Sequence, residues 1–393
     1  MKKVYLDHIA DTPLHPEALE TMLPYLKENF GNPQSLHSSG QQAQQALEEA
    51  RENVARLIHA QAAEIFFTSS GSESNNFAVK GLALAQKGRG NHIVLSSIEH
   101  QSVLHSAKSL EKFGYTVSLV PVDKFGRVTP EDVRKAITPD TVLVSVMLAN
   151  SEAGTIQPIK EIAEACREQE VLFHTDAVAA VGNIPVDVTE LGVDALSLAG
   201  NQFYGPKGSA ALFLKKGTRI LPFIDGGIQE GGRRAGTEDV AAIVGLGKAA
   251  EIAMRDWKKR QEKVLPLRDR LIRELPQRVE HVFFTGHPES RLPHHASFCI
   301  EFIEGEAMLL NLDMQGISAS SGSACTSRAL KASHVLLAMG IDHALAQGSL
   351  VFSLIKDTTE EDIEYLLEVF PPIIERLRKM SPLYTQYLEE KKK

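Results

Sequence analysis

The chain has 393 residues, 43% apolar and 23% charged, enough for a large buried core and about two domains. Its net charge of -8 gives no general attraction to nucleic acid or anionic membranes. No apolar run is long enough to span a bilayer, and Met1 to Asp7 lacks the apolar core of a signal peptide, so the expected location is the cytoplasm.

From about residue 40 to 250, strand-like and helix-like stretches alternate. Glu64 to Thr68 reads as a strand and runs into Ser69-Ser70-Gly71-Ser72-Glu73, which opens a helical stretch carrying Phe77, Val79 and Leu82. Further strands are expected at Asn91 to Ser96, Thr116 to Val120, Thr141 to Leu148, Val171 to His174, Val193 to Leu198 and Ala210 to Leu214, with a helix around Ser106 to Phe113. Such alternation predicts βαβ units: an α/β fold with a mostly parallel central sheet and helices on both faces. Ligands of such sheets lie beyond the C-terminal strand ends. The groups found there are Ser69 to Glu73, Ile98-Glu99-His100, Ala149-Asn150-Ser151-Glu152, Thr175-Asp176 and the loop Ala199 to Gly208.

Beyond about residue 255 the pattern changes. A charged helix (Arg255 to Leu275) precedes a strand-like run at Ala296 to Phe302 and a helix from Gly305 to Met314. A Gly/Ser loop, a short helix from Ser333 to Met339 and a strand at Leu350 to Leu354 follow. A last helix begins at Thr358-Thr359-Glu360-Glu361, where a capping residue precedes acidic first-turn residues. The expected division is a large domain over 14–257 and a smaller α+β domain over 1–13 and 258–393.

Three cysteines are too few for a disulfide framework or a self-contained zinc site. Cys166 falls on a helix face with Ile159, Ile162 and Ala163, and Cys299 inside a strand, so both read as core. Cys325 sits in Ser320-Ser321-Gly322-Ser323-Ala324-Cys325-Thr326-Ser327, a small polar segment in which a thiol is accessible.

Several residues could carry chemistry. Backbone N–H groups at Gly71 and Ser72, with hydroxyls beside them, form a phosphate cradle, though capping serines explain the motif equally well. Asp176 could pair with a protonated ring nitrogen or cap a helix. His100 could stack on a ring or be a satisfied histidine. Gly231 to Thr237 could hold an anion or pair with the acidic surface.

Together these motifs resemble the IscS/NifS-type cysteine desulfurases, fold type I enzymes that use pyridoxal phosphate. The resemblance is nearly full length. It covers Tyr5-Leu6-Asp7, Phe30 to His37, Glu73 to Asn76, Glu99-His100, Glu152 to Gln157, His174 to Val178, Tyr204 to Gly208, Arg233 to Glu238 and the Cys325 loop. It implies that His100 stacks on the pyridoxal ring and Asp176 pairs with its nitrogen. Gly71, Ser72, Asn150 and the residue at 202 are further cofactor contacts. Thr237 would reach the phosphate from the second subunit of a homodimer. Cys325 would take sulfur from cysteine and carry it as a persulfide to a U-type iron–sulfur scaffold or another acceptor.

The chain departs from that family at the loop. Where the family has Ser-x-His-Lys, this sequence has Ala199-Gly200-Asn201-Gln202. The family lysine bonds the cofactor and shuttles protons; the Gln202 amide is neither a nucleophile nor titratable near neutral pH. Ala179 stands where the family has a glutamine, and Val351 where it has an arginine that grips the substrate carboxylate.

The leading expectation is therefore a desulfurase-like protein acting in sulfur transfer or cluster assembly through Cys325, without classical pyridoxal catalysis. In this reading Cys325 serves as a sulfur carrier or as an iron–sulfur ligand shared with the partner. One alternative is an active cysteine desulfurase, producing alanine and a protein persulfide, with pyridoxal phosphate held non-covalently. The other is a non-catalytic structural or regulatory subunit.

Overall fold

A computed structural model of the chain describes residues 2–322 and 332–391. After the short β1 (Val4–Tyr5), the alternation read from the sequence is realised as β2 (Ile65–Thr68), β3 (His92–Ser96), β4 (Thr116–Val120), β5 (Thr141–Ser145), β6 (Leu172–Asp176), β7 (Ala195–Ala199) and β8 (Ala210–Leu214). These seven strands form one sheet in the order β2-β8-β7-β6-β5-β3-β4. β8 runs antiparallel to both neighbours, and every other pairing is parallel.

β3, β5, β7 and β8 are buried at every position. That is why they read as continuous apolar runs rather than alternating ones. The helix Gly71–Ala85 covers one sheet face with Phe77, Ala78 and Leu82, packed against Leu95, Leu143 and Leu212. The other face packs Val144, Phe173 and Leu196 against Ile162, Ala163 and Cys166 of the helix Ile159–Glu168. The expected helix at Ser106 to Phe113 begins earlier, at Gln101, because the His100 ring caps it; it ends at Leu110 and passes into a single 3₁₀ turn.

A second core surrounds an antiparallel sheet of β9 (Val282–Phe284), β10 (His295–Ile300) and β12 (Ser349–Ser353), in the order β12-β10-β9. β11 (Ile317–Ser318) pairs in parallel with β1, and Val4 and Leu6 are buried in this same core. The last long helix, Glu360–Met380, starts from a capping box between Thr359 and Asp362.

The largest difference from the sequence reading is the helix Val240–Arg278, which runs unbroken for 39 residues. It supplies Ile243, Leu246 and Ala250 to the first core and Val264, Leu267, Leu271 and Leu275 to the second. Residue 257, the expected boundary, lies inside it. Among the described residues no helix is long and apolar enough to cross a membrane.

Candidate functional site

The ends of β3, β5, β6 and β7, the start of the helix Gly71–Ala85 and the strand β12 enclose a cavity of about 470 Å³. A cavity of this size suits a small organic ligand. His100, Gly71, Ser72, Asn150, Asp176 and Gln202 all line it. Ala179, Ala199, Asn201 and Val351 line it too.

Asp176 closes β6 and is almost fully buried. Its Oδ1 accepts from the Val178 N–H at 3.0 Å and its Oδ2 from Asn75 Nδ2 at 2.6 Å. Asn75 lies one turn inside the helix Gly71–Ala85, on the side that faces β6, and also donates to Ser102 Oγ at 2.9 Å. Ser102 Oγ is 2.7 Å from His100 Nδ1, which accepts the Ser102 N–H at 3.1 Å. Nδ1 thus acts as acceptor, so the neutral imidazole keeps its proton on Nε2. A carboxylate and an imidazole are thereby fixed by one hydrogen-bonded chain, Asp176–Asn75–Ser102–His100. The sequence reading missed the roles of Asn75 and Ser102; polar residues one turn into a helix carry no motif of their own.

The Ser/Gly turn divides its duties. Ser70 Oγ caps the helix by accepting the Glu73 N–H at 3.1 Å. Ser69 donates to Glu73, and Glu73 pairs with Arg234 at 2.9 Å. Burial opposes ionisation of Glu73, yet its hydrogen bonds and Arg234 hold its carboxyl below the usual range. Gly71 keeps the helix entrance open: a Cβ there would meet Val178 Cγ2 at 2.6 Å. In the Gly231 to Thr237 segment, Arg234 is spent on this ion pair and Arg233 stacks over the Phe66 ring at 4.6 Å. Thr237 is exposed and lies outside the cavity of its own chain. Asn150 also spends its amide internally: Oδ1 accepts from the Glu152 and Ala153 N–H groups and Nδ2 donates to the Ile98 carbonyl, so it shapes the turn at the cavity floor.

Gln202 ends a 3₁₀ turn after β7 and is 5% exposed. Its Nε2 donates to the Ile9 carbonyl at 3.0 Å, and its Oε1 has no partner. No lysine or arginine lines the cavity among the described residues. Lys207 points away, exposed and paired with Asp11.

Two acids were not singled out in the sequence, although both stand at strand ends where the sheet rule places ligands. Glu99 is 0% exposed; Ser96 Oγ and the Met147 N–H both donate to its Oε1, and Oε2 has no partner. Burial pushes its carboxyl up to about 8, and the nearby Asp176 charge adds to the rise. Glu152 accepts from Ser333 Oγ, and burial raises it to about 7.

Cys166 and Cys299 are buried, their thiols pushed up to about 12 by burial, as expected of core residues. Cys325 lies outside the described residues. Among the described residues no cluster of three or more histidine, cysteine or acidic side chains could hold a metal.

The residues present fit pyridoxal phosphate as a guest without a covalent bond: a held carboxylate for the ring nitrogen, an imidazole, and an open helix N-terminus for the phosphate. Among the described residues the cavity wall provides no amine for a covalent link.

The aminotransferase class-V family model matches residues 4–366. The chain is 51% identical over 392 residues to a Clostridium botulinum protein named cysteine desulfurase IscS, covering 99% of each. It is 49% identical over 391 residues to the Dictyoglomus turgidum protein of the same name, covering 100% of this chain and 99% of that one. A solved structure titled NifS-like protein superposes with a TM-score of 0.90 at 37% identity, covering 96% of this chain and all of the other. The chain belongs to the aminotransferase class-V family, as a homologue of the IscS/NifS cysteine desulfurases with the type I pyridoxal phosphate enzyme fold.

Proposed function

We propose that this chain is a sulfur-transfer protein of the cysteine desulfurase type, working toward iron–sulfur cluster assembly, and that it receives pyridoxal phosphate without a covalent bond. One observation carries this reading: the Asp176–Asn75–Ser102–His100 chain and the open Gly71 helix entrance are kept in a cavity that has Gln202 where the resemblance implies an amine. Bound there, pyridoxal phosphate would supply an electron sink. Asp176 would hold the ring nitrogen, His100 the ring face, and the Gly71–Ser72 backbone the phosphate. Gln202 would offer its unpartnered Oε1 as a fixed acceptor. Glu152 and Glu99, raised by burial to about 7 and about 8, are the carboxyls placed to hold protons near neutral pH. Cys325 would carry sulfur outward as a persulfide or share a cluster with the partner's thiolates.

The names of the half-identical, full-length relatives support activity on L-cysteine, and so favour the non-covalent active enzyme over complete loss of pyridoxal chemistry. The absence of a lysine or arginine from the described cavity wall supports the opposite reading, in which Cys325 receives sulfur from elsewhere. A homodimer is the expected assembly; exposed Phe30, Leu36 and Ile228 support it by offering apolar surface.

The test is an absorption spectrum of purified protein incubated with pyridoxal phosphate, treated with L-cysteine and desalted, with alanine measured alongside. A retained band that changes with cysteine, together with alanine release, is the expected result. A colourless protein that releases no alanine sinks the cofactor half of the proposal and leaves Cys325→Ser to test sulfur delivery to a scaffold.

A further inference from the structure

Beneath the Gln202 loop lies a second, much smaller cavity of about 20 Å³, lined by His8, Asn183, Tyr204, Trp257, Arg260, His294 and Lys356 among others. Its wall is mostly apolar, but the charged side chains among its described residues are basic and none is acidic. The volume admits one water-sized particle.

Three features of its wall do not close on themselves. His8 is 2% exposed, and both its ring nitrogens face carbonyl oxygens: Nδ1 lies 3.1 Å from Leu354 O, Nε2 3.0 Å from Gln202 O. A neutral imidazole has one N–H and satisfies only one of them; satisfying both takes the imidazolium. His294, 3% exposed, stacks on His8 with ring centroids 4.3 Å apart, and its Nε2 has no partner. Arg260 donates from Nη2 to the Gly182 carbonyl at 2.8 Å and lies over the Tyr204 ring, while its Nε is buried without a partner. The acid that aids Arg260 through space, Asp256, is itself engaged by Arg255. Buried donors left unpaired each cost about 1–3 kcal/mol.

We propose that this cavity binds one halide-sized monovalent anion, chloride being the common physiological case, held by Arg260 Nε and His294 Nε2. The anion neutralises the guanidinium and gives an acceptor to the Arg260 Nε–H and, in the Nε2–H tautomer, to His294. It also favours the doubly donating His8, which burial otherwise holds neutral by lowering its pKa to about 4. Because His8 and Asn183 both donate to the Gln202 carbonyl, the anion braces the turn that presents Gln202 to the larger cavity. This inference does not depend on what the larger cavity binds.

Bromide is the probe. Crystals of the full chain soaked in bromide should show an anomalous peak between Arg260 and His294, absent in Arg260→Gln. In solution, Tm should be roughly 2–4 °C higher in sodium bromide or chloride than in sodium gluconate at equal ionic strength. That gap should close in Arg260→Gln. If the variant does not fold, the wild-type comparison of the salts still decides. Equal Tm values in the halide and gluconate salts, an ordered water with no anomalous signal, or a bromide peak without any solution effect (an adventitious ion only) would each overturn the proposal.

Discussion

Neighbouring strands of the central sheet end in two unlike ways. At the end of β6, both Asp176 oxygens are engaged, one by the backbone and one by Asn75, and the chain of donors continues to His100. Just after β7, Gln202 ties its amide nitrogen to the Ile9 carbonyl and leaves its oxygen buried without a partner. A saturated carboxylate is a group held ready for a cationic partner. A half-satisfied amide is a group that fits its space without having been given a task there. The two ends share register, Asp176 opposite Ser197, so the difference lies in side-chain chemistry and not in backbone.

That contrast can be broken most forcefully at its weak end. Gln202→Lys places an amine in the cavity. With pyridoxal phosphate and borohydride it should acquire a stable cofactor label that the wild type lacks, and alanine release should rise by roughly 10²-fold. Equal labelling of both proteins would show that an amine outside the described wall already serves.

At the strong end, Asp176→Ala should weaken retention of pyridoxal phosphate by roughly 10–100-fold, the value of a charge-assisted hydrogen bond, measured by equilibrium dialysis. Unchanged retention would mean that the ring nitrogen lies elsewhere.

A third strand end sharpens the comparison through stability. The folded Glu99 carboxyl titrates near 8, above its ordinary value of 4.5. Below 4.5 the folded and unfolded chains both hold the proton and nothing is lost. As pH rises toward 8 the unfolded chain gives its proton up more readily, so the wild type loses stability over that window. Glu99→Gln keeps an acceptor for Ser96 and Met147 and removes the titration. It should overtake the wild type by on the order of 1–3 kcal/mol above about pH 8, with little difference near pH 4. A constant gap across urea melts at both pH values would refute the assignment. The smallest effect is expected at Lys207→Ala: less than about a twofold change in alanine release, since its surface ion pair with Asp11 is worth little and the side chain is outside the cavity.

The sheet was legible because its inner strands are buried on both faces and therefore write themselves as Val/Leu/Ile runs such as Thr141 to Ser145. His100, Asp176 and Gly71 were legible because they end or follow such runs. Asn75 was not, because its value comes from a turn of helix that aims it at a residue about a hundred positions away. Glu99 and Glu152 were not, because an acid's burial is a property of packing, and the letters around it read as loop. The β1–β11 pairing joins Val4 to Ile317 across most of the chain, a contact no local pattern announces. The 39-residue helix was seen only from Arg255 onward. Its first half, Val240 to Met254, is nearly all small and apolar and offers no polar stripe to give it a period.

That helix has a mechanical consequence. At 1.5 Å per residue it is a beam of about 58 Å, and each core grips one half of it. The same shaft thus passes from the core beneath the central sheet to the core that holds β12, the strand that brings Val351 to the large cavity. One continuous helical backbone links two cores that draw on different side chains of the same helix.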